Sequence, residues 1–559
     1  MQKLTAVDTL NQTFPRWYSP ETGIYSSKYP VIPLPTDPFL DVVSFIFSQK
    51  HNGLTALIDS SSGFSFSYSD LFPLVKSMAS GLQRSFGIKK GDVVLLLLPN
   101  TIYFPILFLG VLYLGAIVTT MNPLSTILEI QKQIVHCKAC IAFSLFEKSS
   151  KLHSLGIPIV SVPEHPTLIK EKSEFQVFYN LVYGNVNVNF DLSVRSVIRQ
   201  EDPAAILYSS GTTGASKGVV LTHRNFISVI EHFVRFEASQ YEYSASDNVY
   251  LAALPMFHVY GLSLFVMGLF SLGSGIVVMR KFDANEMVKA IDRYGVTHFP
   301  VVPPILQTLI KKAKSVSANG FRSLKQVSCG AAPLYQKTIQ DFVETFPFVD
   351  FIQGYGMTES TAVGTRGFNT KHCQKYSSIG LLAPNTEAKL MDWITGYYLP
   401  PGCSGELLIR GPAIMKEYLN DRKATASTID KDGWLHTGDI VYIDCDGYLH
   451  IIDRLKEIIK YKGFQIAPAD LEAVLISHPD ILDAAVTGAI DKECGEIPVA
   501  FVVKRQGSML TERAIFDCVA DQVAPYKKVR KVIFVQSIPK SAAGKILRRE
   551  LRRYLSSRL

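Results

Sequence analysis

The chain has 559 residues, which predicts two to four domains. Hydrophobic residues make up 47% and charged residues 19%, a globular composition that argues against a chain disordered throughout. The formal net charge is +8. The stretch from Pro525 onward alone carries a larger positive charge, so the rest of the chain is slightly negative. We interpret this basic stretch as a solvated helix face or a site for a phosphorylated small molecule. Nucleic acid is not expected, because neither interleaved aromatic residues nor zinc-finger spacing accompany the charge.

The N-terminal third alternates strand-like and helical patterns. Residues 91–98 predict a buried strand, 102–114 a helix and 116–118 the next strand, the βαβ order of a parallel sheet. Residues 101–119 are uncharged and nearly long enough to cross a membrane, but Pro105 interrupts them. A buried helix followed by a strand is therefore our interpretation, with a membrane span as the alternative. Residues 1–30 show no apolar segment of a secretory signal peptide.

Cysteines are scattered along the chain. Cys137 and Cys140 form a CxxC pair beside His136, but no second pair has the spacing of a zinc site. We expect free thiols in a reducing compartment, with a metal or redox role as the alternative.

A loop rich in glycine and hydroxyl groups follows the apolar residues 204–208. Glycine lets backbone N–H groups approach an anion closely, hydroxyls add donors, and Lys217 adds positive charge. Only two residues separate Gly211 from Gly214, so this is not a Walker A loop. Strand-like residues flank it on both sides, which disfavours a flexible linker. We predict a polyphosphate-binding loop at Ser209, Ser210, Gly211, Thr212, Thr213, Gly214 and Lys217.

The βαβ order returns beyond this loop, and the predicted fold class is α/β. Strands are expected at 249–254, 275–279 and 297–302, with helices at 261–272 and 284–294. Residues 388–411 predict a small β-rich subdomain. A separate unit of about one hundred residues begins near 457. Its predicted elements are helices at 468–477 and 510–523 and strands at 484–489 and 499–503.

Three further short motifs carry groups that could bind a nucleotide. Residues 353–359 (QGYGMTE) combine an aromatic ring, glycines, a hydroxyl and a carboxylate suited to Mg²⁺. Residues 434–439 (WLHTGD) end in a carboxylate that could accept both ribose hydroxyls. Residues 539–545 (PKSAAGK) place a lysine after small residues. Each motif alone is most simply a turn or a helix cap.

Together and in this order, the motifs resemble those of the adenylate-forming enzymes: acyl-CoA synthetases, beetle luciferases and the adenylation domains of peptide synthetases. The resemblance covers roughly residues 40–555. The segments 255–258 (PMFH) and 460–465 (KYKGFQ) are most similar to plant 4-coumarate–CoA ligases and their peroxisomal relatives. The resemblance implies an N-terminal domain at 1–453, a hinge at 454–456 and a rotating C-terminal domain at 457–559. It also implies that an acid and ATP form acyl-AMP, from which CoA takes the acyl group.

The resemblance also implies residue roles. Joining two anions requires charge neutralisation and alignment rather than a protein nucleophile. Lys545 and His258 fall at catalytic positions, and Glu359 at that of a Mg²⁺ ligand. Lys281, Lys462 and Gly463 fall at CoA-binding positions. Beyond the phosphate loop, the implied ATP- or AMP-binding residues are Ala331, Gln353, Gly354, Tyr355, Thr358, Asp439, Arg454, Lys456, Lys460 and Gln465. The implied acid pocket comprises Val259, Tyr260, Leu264, Gly330, Val363 and Gly364.

The chain departs from 4-coumarate–CoA ligases inside this pocket. Leu264 stands where those enzymes carry a serine, and Gly364 where they carry a leucine. We therefore expect a longer or wider pocket and an apolar acid: a medium or long fatty acid, an oxylipin-like acid or an unhydroxylated aromatic acid. 4-Coumarate is the alternative. Arg366 is expected to face solvent; an inward orientation would favour a polar or dicarboxylic end group.

Other readings of the same motifs remain. A luciferase-type oxygenase would act on the same acyl-adenylate, a carrier-protein ligase would use another acceptor, and a silent nucleotide binder would have no turnover. The last three residues, Ser557, Arg558 and Leu559, resemble the peroxisomal address Ser-Lys-Leu. They predict binding to the peroxisomal import receptor and a peroxisomal location, with the cytoplasm as the alternative.

Overall fold

The computed structural model describes residues 14–147, 152–164, 173–186, 196–209, 216–315, 318–367, 374–461, 464–491, 494–541 and 544–556. These residues form an α/β structure with four sheets, which confirms the predicted fold class. One large hydrophobic core spans residues 18–449, and separate smaller cores lie within residues 459–555. The large and small units of the prediction are therefore both present.

The first sheet has seven strands, and the five from Pro203–Ser209 to Ile159–Val162 run parallel to one another. At its other edge, Lys217–Thr222 pairs antiparallel with Pro203–Ser209 and carries the short strand Glu417–Tyr418. The strands in spatial order are Glu417–Tyr418, Lys217–Thr222, Pro203–Ser209, Ile117–Thr120, Val93–Leu97, Ala139–Leu145 and Ile159–Val162. The helices of this region are Tyr68–Phe86, Tyr103–Tyr113, Ile127–Cys137 and Gln176–Tyr183.

Tyr103–Tyr113 is the helix whose sequence resembles a membrane span. Every one of its residues is buried inside the protein, and the strand Ile117–Thr120 follows it. This confirms a core helix followed by a strand. Within the described part of the chain, no helix has the length and apolar character needed to cross a bilayer.

The second sheet has nine strands and a parallel centre. The strands in spatial order are Leu381–Leu382, Thr365–Arg366, Asp350–Tyr355, Gln326–Cys329, His298–Val301, Val249–Ala252, Gly275–Val278, Thr55–Asp59 and Ser65–Ser67. The associated helices are Val42–Ser48, His223–Val229, Phe236–Ser239, Val259–Gly261, Ala284–Tyr294, Pro303–Ser315 and Gln336–Thr345.

The helix predicted at 261–272 differs from expectation. The chain forms a π-helix over Leu262–Gly268 and a 3₁₀ helix over Leu269–Leu272. A second π-helix, Ile230–Arg235, packs against the first. π-Helical turns are rare in proteins, and those that do occur are often found at functional sites. Both segments contribute residues to the cavity described below.

The third sheet is antiparallel and confirms the β-rich subdomain. Its six strands in spatial order are Tyr18–Ser19, Ile24–Ser26, Glu387–Met391, Ser404–Arg410, Leu435–Ile443 and Leu449–Arg454. The helix Arg422–Thr428 lies between its fourth and fifth strands along the chain.

The C-terminal unit is a five-stranded sheet with three helices. Phe464–Ile466, Ile459–Tyr461, Gly495–Lys504 and Ile481–Asp491 are antiparallel neighbours, and Lys531–Phe534 joins Gly495–Lys504 in parallel. The helices are Pro468–Ser477, Glu512–Ala520 and Arg548–Ser556.

Candidate active site

The predicted phosphate loop joins the two antiparallel strands of a hairpin, Pro203–Ser209 and Lys217–Thr222. Ser209 and Lys217 are register partners at the ends of its two antiparallel strands. The residues between them that carry most of the prediction, Ser210, Gly211, Thr212, Thr213 and Gly214, lie outside the described residues. The two strands nevertheless fix where the loop begins and ends, at one edge of the first sheet.

Glu359 lies at the base of this hairpin, in the buried 3₁₀ turn Thr358–Ser360. Its Oε1 accepts hydrogen bonds from the Ser209 hydroxyl and the Tyr418 hydroxyl, each at 2.9 Å. The Lys217 ammonium lies 4.8 Å from the centroid of the Tyr418 ring. The structure therefore brings together the carboxylate, a loop serine and the loop lysine that the sequence assigned to polyphosphate and Mg²⁺.

Asp439 is the centre of a second cluster. The Tyr355 hydroxyl donates a hydrogen bond to its Oδ2 at 2.6 Å, and the Arg454 guanidinium lies 3.1 Å from its Oδ1. Asp439 and Arg454 are register partners on adjacent antiparallel strands, which accounts for their closeness. Burial and the neighbouring Asp439 raise the pKa of Tyr355 well above its ordinary value, so its phenol remains a donor.

The remaining predicted nucleotide residues surround this cluster. Gln353 and Gly354 share the strand Asp350–Tyr355, and the Gln353 amide donates to the Tyr376 carbonyl at 2.7 Å. Ala331 follows the adjacent strand with a φ of 71°, a left-handed conformation unusual for alanine. Such strained residues concentrate at functional sites, where surrounding structure holds them in place.

Lys545 comes from the C-terminal unit, and the charged residues of both clusters influence its ammonium. Its neighbourhood contains the charges of Arg454, Asp439, Glu359 and Lys456, and burial lowers its pKa to about 8. Its loop packs closely against the large unit. A Cβ atom on Gly544, whose φ is 78°, would lie 2.8 Å from Cδ of Pro304. The structure thus places this lysine between the two units, beside the nucleotide cluster.

His258 faces the same cleft and caps the short helix Val259–Gly261 with its backbone. Crowding by surrounding protein lowers the pKa of its imidazole, and the Lys545 charge lowers it further. The ring is therefore neutral at neutral pH while remaining exposed to the cleft.

The predicted hinge and CoA residues are divided between the two units. Lys456 belongs to the 3₁₀ turn Leu455–Glu457, where burial and Arg454 lower its pKa. Lys460 is exposed, and it pairs in register with Gln465, of which only the backbone is described. Lys281 is exposed on the large unit. Lys462 and Gly463 lie outside the described residues.

A narrow pocket, partly open to solvent, lies beside the predicted acid pocket. Leu264 lines it from the π-helix. Tyr260 lies beside Gly330, since a Cβ on Gly330 would be 3.5 Å from the Tyr260 ring. The other lining residues are Val234, Glu237, Ala238, Tyr241, Tyr243, Asn248, Tyr250, His298, Pro300, Ser328 and Arg366.

Two expectations about this pocket, those for Arg366 and Gly364, need correction. Arg366 does not face solvent: it is 7% exposed, it lines the cavity, and it forms an ion pair of 2.6 Å with Glu237. Gly364 does not widen the cavity, because the Tyr355 ring already lies 3.0 Å from where a Cβ would be. Val363 packs with Val229 in a satellite core. Val259 is also buried in the main core.

Sequence reasoning missed most of the polar cavity wall. Glu237, Tyr241, Tyr243, Asn248 and His298 belong to no motif, and folding alone brings them together with Arg366. The only signal in the sequence was Arg366 itself, a charged residue seven positions beyond Glu359.

The CxxC segment packs near the hairpin of the phosphate loop, because Nδ1 of the adjacent His136 lies 2.6 Å from the Tyr208 hydroxyl. Cys137 is buried in a satellite core, and the Cys140 thiol donates to the Val93 carbonyl at 3.3 Å. Among the described residues, no group of three or more His, Cys, Asp or Glu side chains could hold a metal ion.

The comparisons with known proteins agree with this geometry. Residues 46–419 match the family model for AMP-binding enzymes, and residues 470–545 match that for the AMP-binding enzyme C-terminal domain. The chain is 60% identical over 549 residues to 4-coumarate–CoA ligase-like 6 of Arabidopsis thaliana, covering 98% of this chain and 96% of that protein.

Two further proteins are informative. The peroxisomal OPC-8:0-CoA ligase 1 of Arabidopsis thaliana is 44% identical over 531 residues, covering 94% of this chain and 95% of that protein. The crystal structure of ATP-bound MatB from Rhodopseudomonas palustris superimposes with a TM-score of 0.80 at 24% identity, covering 92% and 98% of the two chains. At that identity, the likeness to MatB shows the fold alone.

Proposed function

The chain belongs to the AMP-binding enzyme family and is an AMP-forming acid–CoA ligase; from this premise we propose how its residues carry out the reaction. The observation that supports the mechanism best is the position of Lys545. This lysine from the small unit is near enough to Asp439, Glu359 and the hinge residue Arg454 for their charges to act on it, where an acid and ATP would meet.

In the first half-reaction, a carboxylate oxygen of the acid attacks the α-phosphorus of ATP. The bond from that phosphorus to the bridging oxygen breaks, and pyrophosphate leaves. Lys545 stabilises the negative charge that accumulates between the reacting groups, an electrostatic role that needs no covalent step. The hairpin loop with Lys217 holds the outer phosphates, and Asp439 with Arg454 orients the ribose.

Mg²⁺ would neutralise polyphosphate charge, and one protein carboxylate is enough for it. Mg²⁺ in phosphate sites keeps several waters and takes one or two carboxylates together with phosphate oxygens. Glu359 fits this role because both of its hydrogen bonds from Ser209 and Tyr418 go to Oε1. The two hydroxyls also fix the orientation of the carboxylate.

In the second half-reaction, the CoA sulfur attacks the acyl carbonyl. The bond from that carbon to the AMP oxygen breaks, AMP leaves, and the thiol proton passes to solvent or a base. We propose that residues 457–559 rotate about the hinge at 454–456 between the two steps. This rotation would remove Lys545 and bring Lys462 and Gly463 toward CoA, with Lys281 on the large unit.

We further propose that the acid has an apolar or aromatic body. It would extend from His258, past Tyr260 and Gly330, along the Leu264 side of the cavity. A peroxisomal location is proposed on two supports: the Ser557–Leu559 tripeptide, which lies outside the described residues, and the similarity to the peroxisomal ligase at 44% identity. Import of a fluorescent fusion, and its loss when these three residues are removed, would test this location.

The test of function is ATP- and CoA-dependent thioester formation, read by mass, across fatty, cinnamic, benzoic and hydroxycinnamic acids. Thioester from any of these acids supports the proposal. Acyl-AMP without thioester would favour a different acceptor or an acyl-adenylate oxygenase, and no product at all would contradict it.

A further inference from the structure

One wall of the pocket beside Leu264 carries polar side chains that are held in place. Arg366 lies on the short strand Thr365–Arg366, paired with Gly354 in the neighbouring strand. Its guanidinium contacts Glu237 at 2.6 Å and lies 5.0 Å from the centroid of the Phe233 ring. A side chain restrained from three directions is prepared to bind a ligand without reorganising.

Two polar atoms in this wall have unused hydrogen-bonding capacity. Arg366 Nε and Asn248 Oδ1 are buried, and neither finds a hydrogen-bond partner within the described residues. The two residues are 7% and 4% exposed and both line the cavity. Buried polar groups almost always have a partner, since leaving one unpaired is costly. The cavity therefore offers one N–H donor and one carbonyl acceptor to whatever occupies it.

The charge of the wall limits what the occupant can be. Glu237 balances the charge of Arg366, so the pair is already neutral. A second carboxylate would bring an uncompensated negative charge into a buried site, which is unfavourable. A purely apolar end would leave Arg366 Nε unpaired. A neutral oxygen satisfies the donor without adding charge.

We propose that the acid carries a hydroxyl or carbonyl oxygen at the end remote from its carboxylate, and that Arg366 and Asn248 recognise this oxygen. The inference rests on the proposed function and narrows its substrate class. Either kind of oxygen, hydroxyl or carbonyl, can accept a hydrogen bond from Arg366 Nε. A hydroxyl can in addition donate one to Asn248 Oδ1. Leu264 then packs against the apolar body of the acid.

The test compares kcat/KM within matched sets of acids on the full-length enzyme. One set is cinnamic and 4-hydroxycinnamic acid. The other is a straight-chain fatty acid with its ω-hydroxy, ω-oxo and α,ω-dicarboxylic derivatives. We expect the neutral oxygenated member of at least one set to exceed its unoxygenated partner about 10-fold or more, and the diacid to be the poorest.

The Arg366→Met variant should bring the ratio of oxygenated to unoxygenated acid toward one. A ratio taken on one enzyme sample is independent of the fraction that is correctly folded. A second variant, Arg366→Gln combined with Glu237→Gln, avoids an unpaired buried carboxylate and should also lower the ratio. Arg322→Met, the same change at an exposed arginine, should leave it unchanged.

Each outcome has a defined meaning. A wild-type preference for unoxygenated acids or for the diacid would overturn the inference, as would an unchanged ratio in both Arg366 variants. In these cases thioester still forms, so the proposed function stands. If no acid in either set yields thioester, the proposed function fails and this inference fails with it.

Discussion

The nucleotide cluster and the polar cavity wall are built in opposite ways. Around Asp439, the interacting residues come from short motifs, and adjacent strands bring Arg454 into register. In the cavity wall, Arg366 finds its partner Glu237 across 129 positions of sequence. We propose that the motif-built cluster binds ATP, and that the wall contacts the acid and decides which acid is used.

The largest effect should come from Lys545, which lies where we propose that ATP and the acid react. Lys545→Ala should slow acyl-AMP formation about 10²- to 10³-fold, because a preorganised charge is lost from the reacting groups. Thioester formation from supplied acyl-AMP should change far less. Rapid-quench measurement of both half-reactions checks this. Lys540→Ala, which removes a nearby lysine paired with Asp483 at 2.6 Å, is the matched control. Equal losses in both halves would contradict the proposed rotation.

Disrupting the nucleotide cluster should lower kcat/KM for ATP and leave the preference among acids unchanged. Asp439→Asn weakens the contacts to Arg454 and to ribose, and should lower kcat/KM for ATP about 10- to 100-fold. The preference among matched acids should stay the same, since Asp439 does not line the acid cavity. Asp446→Asn, at an exposed aspartate that pairs with Lys375, serves as the control. A changed acid preference would show that the two regions are not separate.

The pH dependence should report on Lys545. Its pKa is lowered to about 8, and the charged form is the active one. The kcat/KM for adenylation should therefore be level below pH 8 and fall above it, by about 10-fold per pH unit at the limit. The residual activity of Lys545→Arg should lack this decline, because a guanidinium stays protonated there. A decline that persists in Lys545→Arg would assign it to another group.

The smallest effect is expected when one hydrogen bond to the Glu359 carboxylate, that from Tyr418, is removed. Tyr418→Phe removes one hydrogen bond to Oε1 but keeps the ring beneath Lys217, and should lower kcat/KM for Mg²⁺–ATP about 5-fold. A titration of Mg²⁺ at fixed ATP would locate the loss. Tyr442→Phe, at a tyrosine whose ring contacts His450, is the comparison variant. An unaffected Mg²⁺ dependence in Tyr418→Phe would argue against Glu359 as the ligand.

The same contrast explains what the sequence could predict. The helix Ala284–Tyr294 was predicted at its observed bounds because its ends are encoded locally: Asp283 accepts from Asn285 and Glu286, and Gly295 ends it with a φ of 59°. The orientation of Arg366 was predicted wrongly, because a lone arginine usually faces solvent and nothing nearby in sequence reveals Glu237. The π-helix Leu262–Gly268 was missed because its apolar pattern also fits an ordinary helix.

The widened pocket failed for a related reason. Aligning Gly364 with a bulkier residue suggests empty space, but only the folded chain shows that the Tyr355 ring fills it. The rotation and the individual residue roles remain predictions, since they concern a reaction and the structure shows one conformation. The boundaries at 453 and 456 remain predictions too, because they are defined by that rotation.

The most direct test of the account is a competition assay. The enzyme receives equal amounts of the matched acids with ATP, Mg²⁺ and CoA, and the products are separated by mass. The account predicts thioesters, with the neutral oxygenated acids dominating. Thioesters mainly from unoxygenated acids would contradict the assignment of the cavity wall, and acyl-AMP accumulating without thioester would contradict the ligase mechanism itself.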